Sequence, residues 1–499
     1  MYETSNNVIL KDPKLSNNVA PINTVNSSKN FSLIPILSII GLVAVLTITL
    51  PLIIRFSTKN NKKYIRLPFN STQPNKTAEL QKDNSIIANY VINEGDKDTT
   101  LFHSSYLDSI ESIKINDNPI NITNSYTFEK SGNNKVEIKF KNKLKSLNNL
   151  FYFCKSLNEV NLYNLSSDEV TSTADMFNGC TKLQKVNFTD FDTTNINNIS
   201  NMFSGCEKLS SIDISVFDND KLVDIQGLFY NCSGLTKINF GNFNTKNVIN
   251  MSKLFSGCTS LTEINLNDDN NFKTGNVIDM SYMFHFCNNL QSLNLNNFDT
   301  SKAVHMNNMF DNCANLKELD LKSFDTKNVE NMFYMFSNCS NLESLNLSNF
   351  VTTKTTDMFG MFKDCINLKN LEISSFDTSS VIDMGEMFGN CKNLNSIQIS
   401  NFDVKKAESM LGMFHRCNSL TSLNVPNFET QNLEEASYFL SYCEQMKYLD
   451  FSKFNSLNLK NYENIFENIS EEGTIKYDEN IFNISDELPD GWVKDIIDN

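Results

Sequence analysis

Twelve cysteines, at 154, 180, 206, 232, 258, 287, 313, 339, 365, 391, 417 and 443, are separated by 26 residues in ten of eleven intervals and by 29 in the other. A fixed period of this length marks a stacked array of identical units, which grows along one axis without starting new cores, so the 499 residues do not convert into a count of compact domains. Counted from each cysteine, leucine or another apolar residue recurs at +3, +6 and +8, Phe at +11, Val or a relative at +16, often Met at +19, and Phe at +23. The unit at Cys313 carries all of these: Leu316, Leu319, Leu321, Phe324, Val329, Met332 and Phe336. One such unit cannot bury its own apolar face, whereas stacking joins the Leu, Phe and Met columns into one core.

Alternation around +5 to +9 predicts a short strand with +6 and +8 facing inward, and the spacing of +16, +19 and +23 predicts a short helical segment on the other side. The expected fold class is an α/β repeat solenoid: about twelve units over residues 147–469, with a parallel β-sheet on the concave face. The long interval places three extra residues within 267–271, read as a surface loop or a functional protrusion. Strand-like runs such as Val136 to Phe140 make residues 86–146 an expected small N-terminal β cap, and residues 470–499, with Trp492, an expected C-terminal cap.

The N-terminal part has a different character. Residues 31–54 form a stretch of 24 residues without a charge, and about 20 suffice for a helix to cross the hydrocarbon core, so a single transmembrane helix is expected there. A polar tail, residues 1–30, precedes it, and a Pro-, Lys- and Asn-containing tether, residues 55–85, follows. Lys11, Lys14 and Lys29 stand before the span and Arg55, Lys59, Lys62, Lys63 and Arg66 after it, a bias that taken alone holds the repeats on the cytoplasmic side. The chain carries a net charge of −15, of which residues 1–66 contribute +6, so the remainder holds −21. An acidic surface repels phosphate backbones, and no nucleic-acid partner is expected.

The unit MF-x-x-C-x-x-L-x-x-L-x-L-x-x-F-D-T-x-x-V, present from Met309 to Val329, resembles the BspA-type leucine-rich repeats common on bacterial surfaces, notably in mycoplasmas. The next copy, from Met335, keeps the leucines but reads Phe350-Val351-Thr352 at the turn and has Thr355 for the final Val. The resemblance covers roughly residues 147–469, and the Val136 to Phe140 run and the closing Leu488-Pro489-Asp490-Gly491-Trp492 are similar to that family's ends. It implies surface display, adhesion or host interaction, often without an assigned activity. The chain departs from many relatives in having an internal span in place of a cleaved signal or lipoprotein cysteine; Leu165 replaces the +11 Phe of the first unit and Leu440 the Phe before Cys443.

Catalytic and metal chemistry find little support in the pattern. No cysteine lies within 25 residues of another, so zinc-type pairs are missing, and the thiols read as small buried apolar residues. The histidines, His103, His285, His305 and His415, share no spacing with a nucleophile, and no phosphate loop or H-E-x-x-H occurs. No enzyme, metal or cofactor is expected. Sequons such as Asn187-Phe188-Thr189 are expected by chance in so Asn-rich a chain. The exposed column at +7 is the candidate contact surface: Asn161, Asn187, Asp213, Asn239, Asn265, Asn294, Asp320, Asn346, Glu372, Gln398, Asn424 and Asp450, flanked by Lys185, Lys237, Glu263 and Glu318 at +5. Two roles are open to it, an amide ladder that keeps the sheet soluble or a mildly acidic stripe for an extracellular protein or glycan. The leading expectation is a membrane-anchored surface protein with extracellular repeats; the alternative is an intracellular membrane-bound scaffold. Oligomeric state is not legible.

Overall fold

The computed structural model describes residues 82–96, 98–266 and 271–497. The span expected at 31–54, the tail and nearly all of the tether lie outside the described residues, as do residues 267–270 of the inserted loop. Among the described residues no helix is long and apolar enough to cross a membrane.

The repeats form a β-solenoid of about twelve turns with almost no helix. In eight of the twelve turns a strand of three to five residues brings the +6 side chain inward: β7 (Leu157–Asn161), β8 (Lys185–Asn187), β9 (Ser211–Asp213), β10 (Lys237–Asn239), β11 (Ser344–Asn346), β12 (Asn370–Glu372), β13 (Ser422–Asn424) and β14 (Tyr448–Phe451). Neighbours pair in parallel at the repeat offset, Leu345 against Leu371 and Leu423 against Leu449. This parallel sheet is patchy. The unbroken ladder runs elsewhere, through single parallel bridges at +18 from Ser172 to Asn461.

The helical segments expected on the opposite side are not present among the described residues, and that expectation is corrected. Two positions in every turn, five residues and one residue before each cysteine, are left-handed: Asp175 and Gly179, Asn308 and Asn312, Tyr334 and Asn338 are examples. A left-handed residue stops an α-helix, and the amides between these points divide their hydrogen bonds between two directions. Tyr334, Phe336 and Asn338 donate forward to the carbonyls of Phe359, Met361 and Lys363, while Met335, Ser337 and Cys339 donate back three residues, to Met332, Tyr334 and Phe336. The segment is thus a run of tight turns hydrogen-bonded sideways to its neighbours. Such turns return apolar residues to one face every three or four positions, the same spacing a helix produces, which is why periodicity alone cannot separate the two.

Inside, the ring three residues before each cysteine stacks on its equivalents from Phe151 to Phe414, with centroids 5.3–6.0 Å apart and planes within 18°. Leu440 takes this place before Cys443, and Phe439, one residue earlier, meets Phe414 edge-on at 5.5 Å and 88°. Each thiol from Cys180 to Cys443 donates to the carbonyl of the Phe in the preceding turn, Cys339 to Phe310 at 3.2 Å for instance, instead of facing the next sulfur. All twelve cysteines are free and buried. At +13 a buried Thr ties turns together: Thr326 Oγ1 donates to the carbonyl of Val351 at 3.0 Å and accepts its N–H at 2.8 Å.

Upstream, β1 (Ser85–Ile92) pairs antiparallel with β6 (Gly132–Phe140) on one side and with β7 on the other, so the sheet continues into the first turn. β3 (Ile110–Ile115) and β4 (Asn118–Ile120) extend it, and β2 (Asp98–Thr100) pairs with β5 (Ser125–Thr127). Downstream, β15 (Glu472–Tyr477) and β16 (Gly491–Ile496) add in parallel to β14. Trp492 lies against Gly473 and donates from Nε1 to the Ser470 carbonyl at 2.8 Å.

Candidate binding surface

The +7 side chains stand in one line on the strand side of the solenoid, and most are exposed. Their oxygens are largely engaged within their own turn. Asn187 Oδ1 accepts the Thr189 N–H at 3.0 Å and its hydroxyl at 2.7 Å; Asp213 accepts both groups of Ser215. Asn294, Asp320, Asn346 and Glu372 likewise accept the N–H two residues on. These are local side-chain caps at strand ends, the role that Asx and Ser/Thr motifs fill in turns. The sequon at Asn187 therefore has a structural meaning. Along the column, Asn239 Nδ2 donates to its neighbour Asp213 Oδ2 at 2.8 Å. Asn161 lies in β7 beside β1, Asn265, Gln398 and Asn424 are exposed, and Asp450 is buried at 6% exposure, capping Ser452 beneath β15. The column is continuous but ends at Asn424 as an accessible surface.

At +5 the flanking charges pair partly with each other, Lys185 with Glu159 at 3.0 Å. Asp213 feels burial, which raises its pKa, but the Ser215 hydroxyl and N–H and the Asn239 amide outweigh it and hold the carboxyl below its ordinary range. The Ser374 hydroxyl and N–H do the same for Glu372. Both carry negative charge at neutral pH.

A second surface, formed by the left-handed positions of the turn column, escapes a reading of apolar periodicity. Gly, Asn and Asp fill most of these sites, since they tolerate positive φ. Phe153, Tyr282, Phe286, Tyr334, Tyr438 and Tyr442 do not fit that pattern, and a bulky residue held there costs on the order of 1–3 kcal/mol. The readable signal was the departure of these positions from their own Gly/Asn column. Two of the rings are accommodated by glycine one turn on: a Cβ at Gly360 would meet the Tyr334 ring at 2.1 Å, and one at Gly179 would meet Phe153 at 3.0 Å. The rings lie across the neighbouring backbone, and Phe153 remains 48% exposed.

Charges gather beside them. Lys363 pairs with Glu386 and lies 6.0 Å from the Tyr334 ring centre. Arg416 lies 5.2 Å over Tyr442, whose hydroxyl donates to Glu467 at 3.4 Å. His415 Nδ1 is 2.6 Å from the Ser441 hydroxyl, and burial, aided by Arg416, lowers its pKa. Of the other histidines, His285 pairs with Asp311 at 3.2 Å, His305 occupies the +18 ladder and His103 caps a 3-10 turn, Ser104–Ser109. The four are thus dispersed. Burial pushes the thiols up, those of Cys232, Cys287, Cys365 and Cys417 to about 12, so they are poor nucleophiles and ligands. Among the described residues no group of His, Cys, Asp and Glu is arranged to hold a metal ion.

The sequence matches the family described as "Mycoplasma protein of unknown function, DUF285" in three overlapping stretches, residues 145–267, 259–374 and 356–476. The chain belongs to this family. The DUF285 match begins and ends within the solenoid and the segments joined to it. No curated protein matches the chain in sequence. Among solved structures it is similar to a leucine-rich repeat protein from Eubacterium ventriosum ATCC 27560, at 18% identity over 64% of this chain and 78% of that one, with a TM-score of 0.30. It is also similar to a chain of the TLR13-ssRNA13 complex, at 17% identity over 65% of this chain, with a TM-score of 0.23. The match spans 52% of that chain.

Proposed function

We propose that this DUF285 solenoid is a non-catalytic binding protein held at a membrane by residues 31–54, with its repeats outside the cell and used for adhesion to protein or glycan ligands. The observation that supports the reading most is the register of the turns. Equivalent exposed side chains recur at every parallel step, about 4.8 Å, so weak contacts add along one extended ligand or among several. In this reading the accessible +7 stripe from Asn161 to Asn424 is a contact surface, the kinship is with the BspA-type branch of leucine-rich repeats, and the two end sheets act as caps. No cofactor takes part.

The excess of Lys and Arg after residue 54 favours a second reading, a scaffold on the cytoplasmic side. Protease treatment of intact cells decides between them. Surface display requires loss of the repeats from intact cells; repeats that survive until the cells are permeabilised establish the scaffold topology and remove adhesion.

A further inference from the structure

We propose that β16, the last strand of the solenoid, pairs edge to edge with β16 of a second copy, an antiparallel contact that joins two chains end to end. The inference rests on the binding-protein reading above and names its partner as this same chain.

The two ends of the solenoid finish differently. The N-terminal sheet ends in β4, three residues long with Pro119 at its centre, and such an edge offers little to a further strand. At the other end the order is β13, β14, β15, β16, and among the described residues no strand pairs with the outer side of β16. The strand runs for six residues, Gly491 to Ile496, with no proline and no register shift.

The backbone of β16 leaves bonding groups on that side. Ile497 donates its N–H to the Tyr477 carbonyl at 2.9 Å, and along a parallel ladder residues alternate in the side to which they bond. The N–H and C=O groups of Lys494 and Ile496 therefore face outward. The side chains are open as well: Val493 is 63% exposed and Ile496 42%. Lys494, the residue most able to repel a partner strand, is paired with Asp486 at 2.8 Å.

Charge selects the second copy and its register. Two identical antiparallel strands related by a two-fold axis centre on one residue, which meets itself. Centring on Lys494 sets lysine against lysine, and centring on Asp495 sets aspartate against aspartate, both destabilising. Centring on Val493 avoids these clashes. The exposed Val493 then meets its own counterpart, Trp492 faces Lys494 of the other copy, and Gly491 faces Asp495.

The arrangement also fixes direction. The strand order runs along the solenoid, so copies joined at β16 extend away from each other with their N-terminal caps at the far ends. That suits contact between chains held on facing surfaces. Six residues a side fall short of the roughly 800 Å² per partner of a stable interface, so a single pair is weak and many copies in parallel supply the strength.

The test is sedimentation equilibrium of the purified full chain in a mild detergent, at concentrations up to about 200 μM, where a weak pair is populated. A reversible dimer is expected. Lys494→Pro combined with Ile496→Pro removes the two outward donors without breaking a bond to β15, and should weaken pairing at least about tenfold at an unchanged melting temperature. A fall in melting temperature would show that these groups bond to β15 and overturns the free edge. Val493→Glu changes only an exposed side chain and should abolish pairing by setting two carboxylates face to face, as Val493→Lys should with two ammonium groups. An equimolar mixture of these two variants should pair again. Vesicles carrying the natural chain should clump, and those carrying Val493→Glu should stay dispersed. A chain that remains monomeric, a dimer indifferent to Val493→Glu or a mixture that fails to pair overturns the proposal, and so does paired protein that leaves vesicles dispersed. Surface display is read separately by proteolysis of intact cells, so failure of this contact and failure of the binding-protein reading remain distinguishable.

Discussion

Thr352 Oγ1 donates to the carbonyl of Asp377 at 2.8 Å and accepts the N–H of the same residue at 2.8 Å, closing a two-way bond between successive turns. Thr300, Thr326 and Thr430 make the same pair of bonds with Asp325, Val351 and Asn455. The Asp-Thr of the repeat motif is therefore a joint. Replacing Thr352 by Val keeps the shape but leaves an amide and a carbonyl without the hydroxyl, a loss of about 1–3 kcal/mol. Urea unfolding of Thr352→Val should show an unfolding free energy lower by that amount, seen as a lower midpoint; an unchanged midpoint would show that the joint carries no stability.

The cysteine column makes a second prediction. Because each thiol is buried and its pKa is pushed up by burial, almost no thiolate exists at pH 8. Native protein should leave the repeat thiols unmodified by a water-soluble disulfide reagent, and all twelve should react once the chain is unfolded in guanidinium. Rapid reaction of several thiols in the folded chain would contradict the buried ladder.

Part of this architecture was readable from spacing alone. The cysteine period, the inward +6 column and the stack containing Phe336 follow from a repeat that must bury its apolar positions against copies of itself. The helical expectation failed because Met332, Met335 and Phe336 return to one face in tight turns as they would in a helix, and only the left-handed Tyr334 and Asn338 distinguish the two. The +7 stripe was visible as a column of Asn and Asp, but the capping of Thr189 by Asn187 and of Ser215 by Asp213 depends on where the strand ends. The aromatic positions were hidden for a related reason. Tyr334 reads as another large residue among many until its backbone angle is known.

Asp357 provides a pH-dependent test. Burial raises its pKa, the Phe359 N–H that it caps opposes this, and Asp383 in the next turn raises it further, with a net upward shift. For an acid whose folded pKa is raised, the unfolded chain ionises first. The folded state is thus penalised at neutral pH, and the penalty disappears as pH falls below both values. Asp357→Asn retains the capping oxygen and removes the charge. It should stabilise the protein at pH 7, with the gain shrinking toward zero below about pH 4, where the unfolded carboxyl is also protonated. Thermal melts of both proteins from pH 3.5 to 7.5 read this directly; a gain that grew in acid would have the wrong sign.

The Tyr334 and Gly360 pair can be separated by a double-mutant cycle. Gly360 has φ of +60°, and a Cβ there would fall 2.1 Å from Cε1 of Tyr334. Ala at this position therefore faces two separate penalties, a left-handed backbone costing about 1 kcal/mol and a collision that the ring can relieve only by lifting away. Gly360→Ala in the natural chain should cost about 2–4 kcal/mol, the range for overpacking added to backbone strain. In a Tyr334→Asn background the collision is gone, and the same change should cost only about 1 kcal/mol. The coupling between the two sites, about 1–3 kcal/mol, is the signature of direct contact. Equal costs in both backgrounds would mean that the ring does not lie across Gly360.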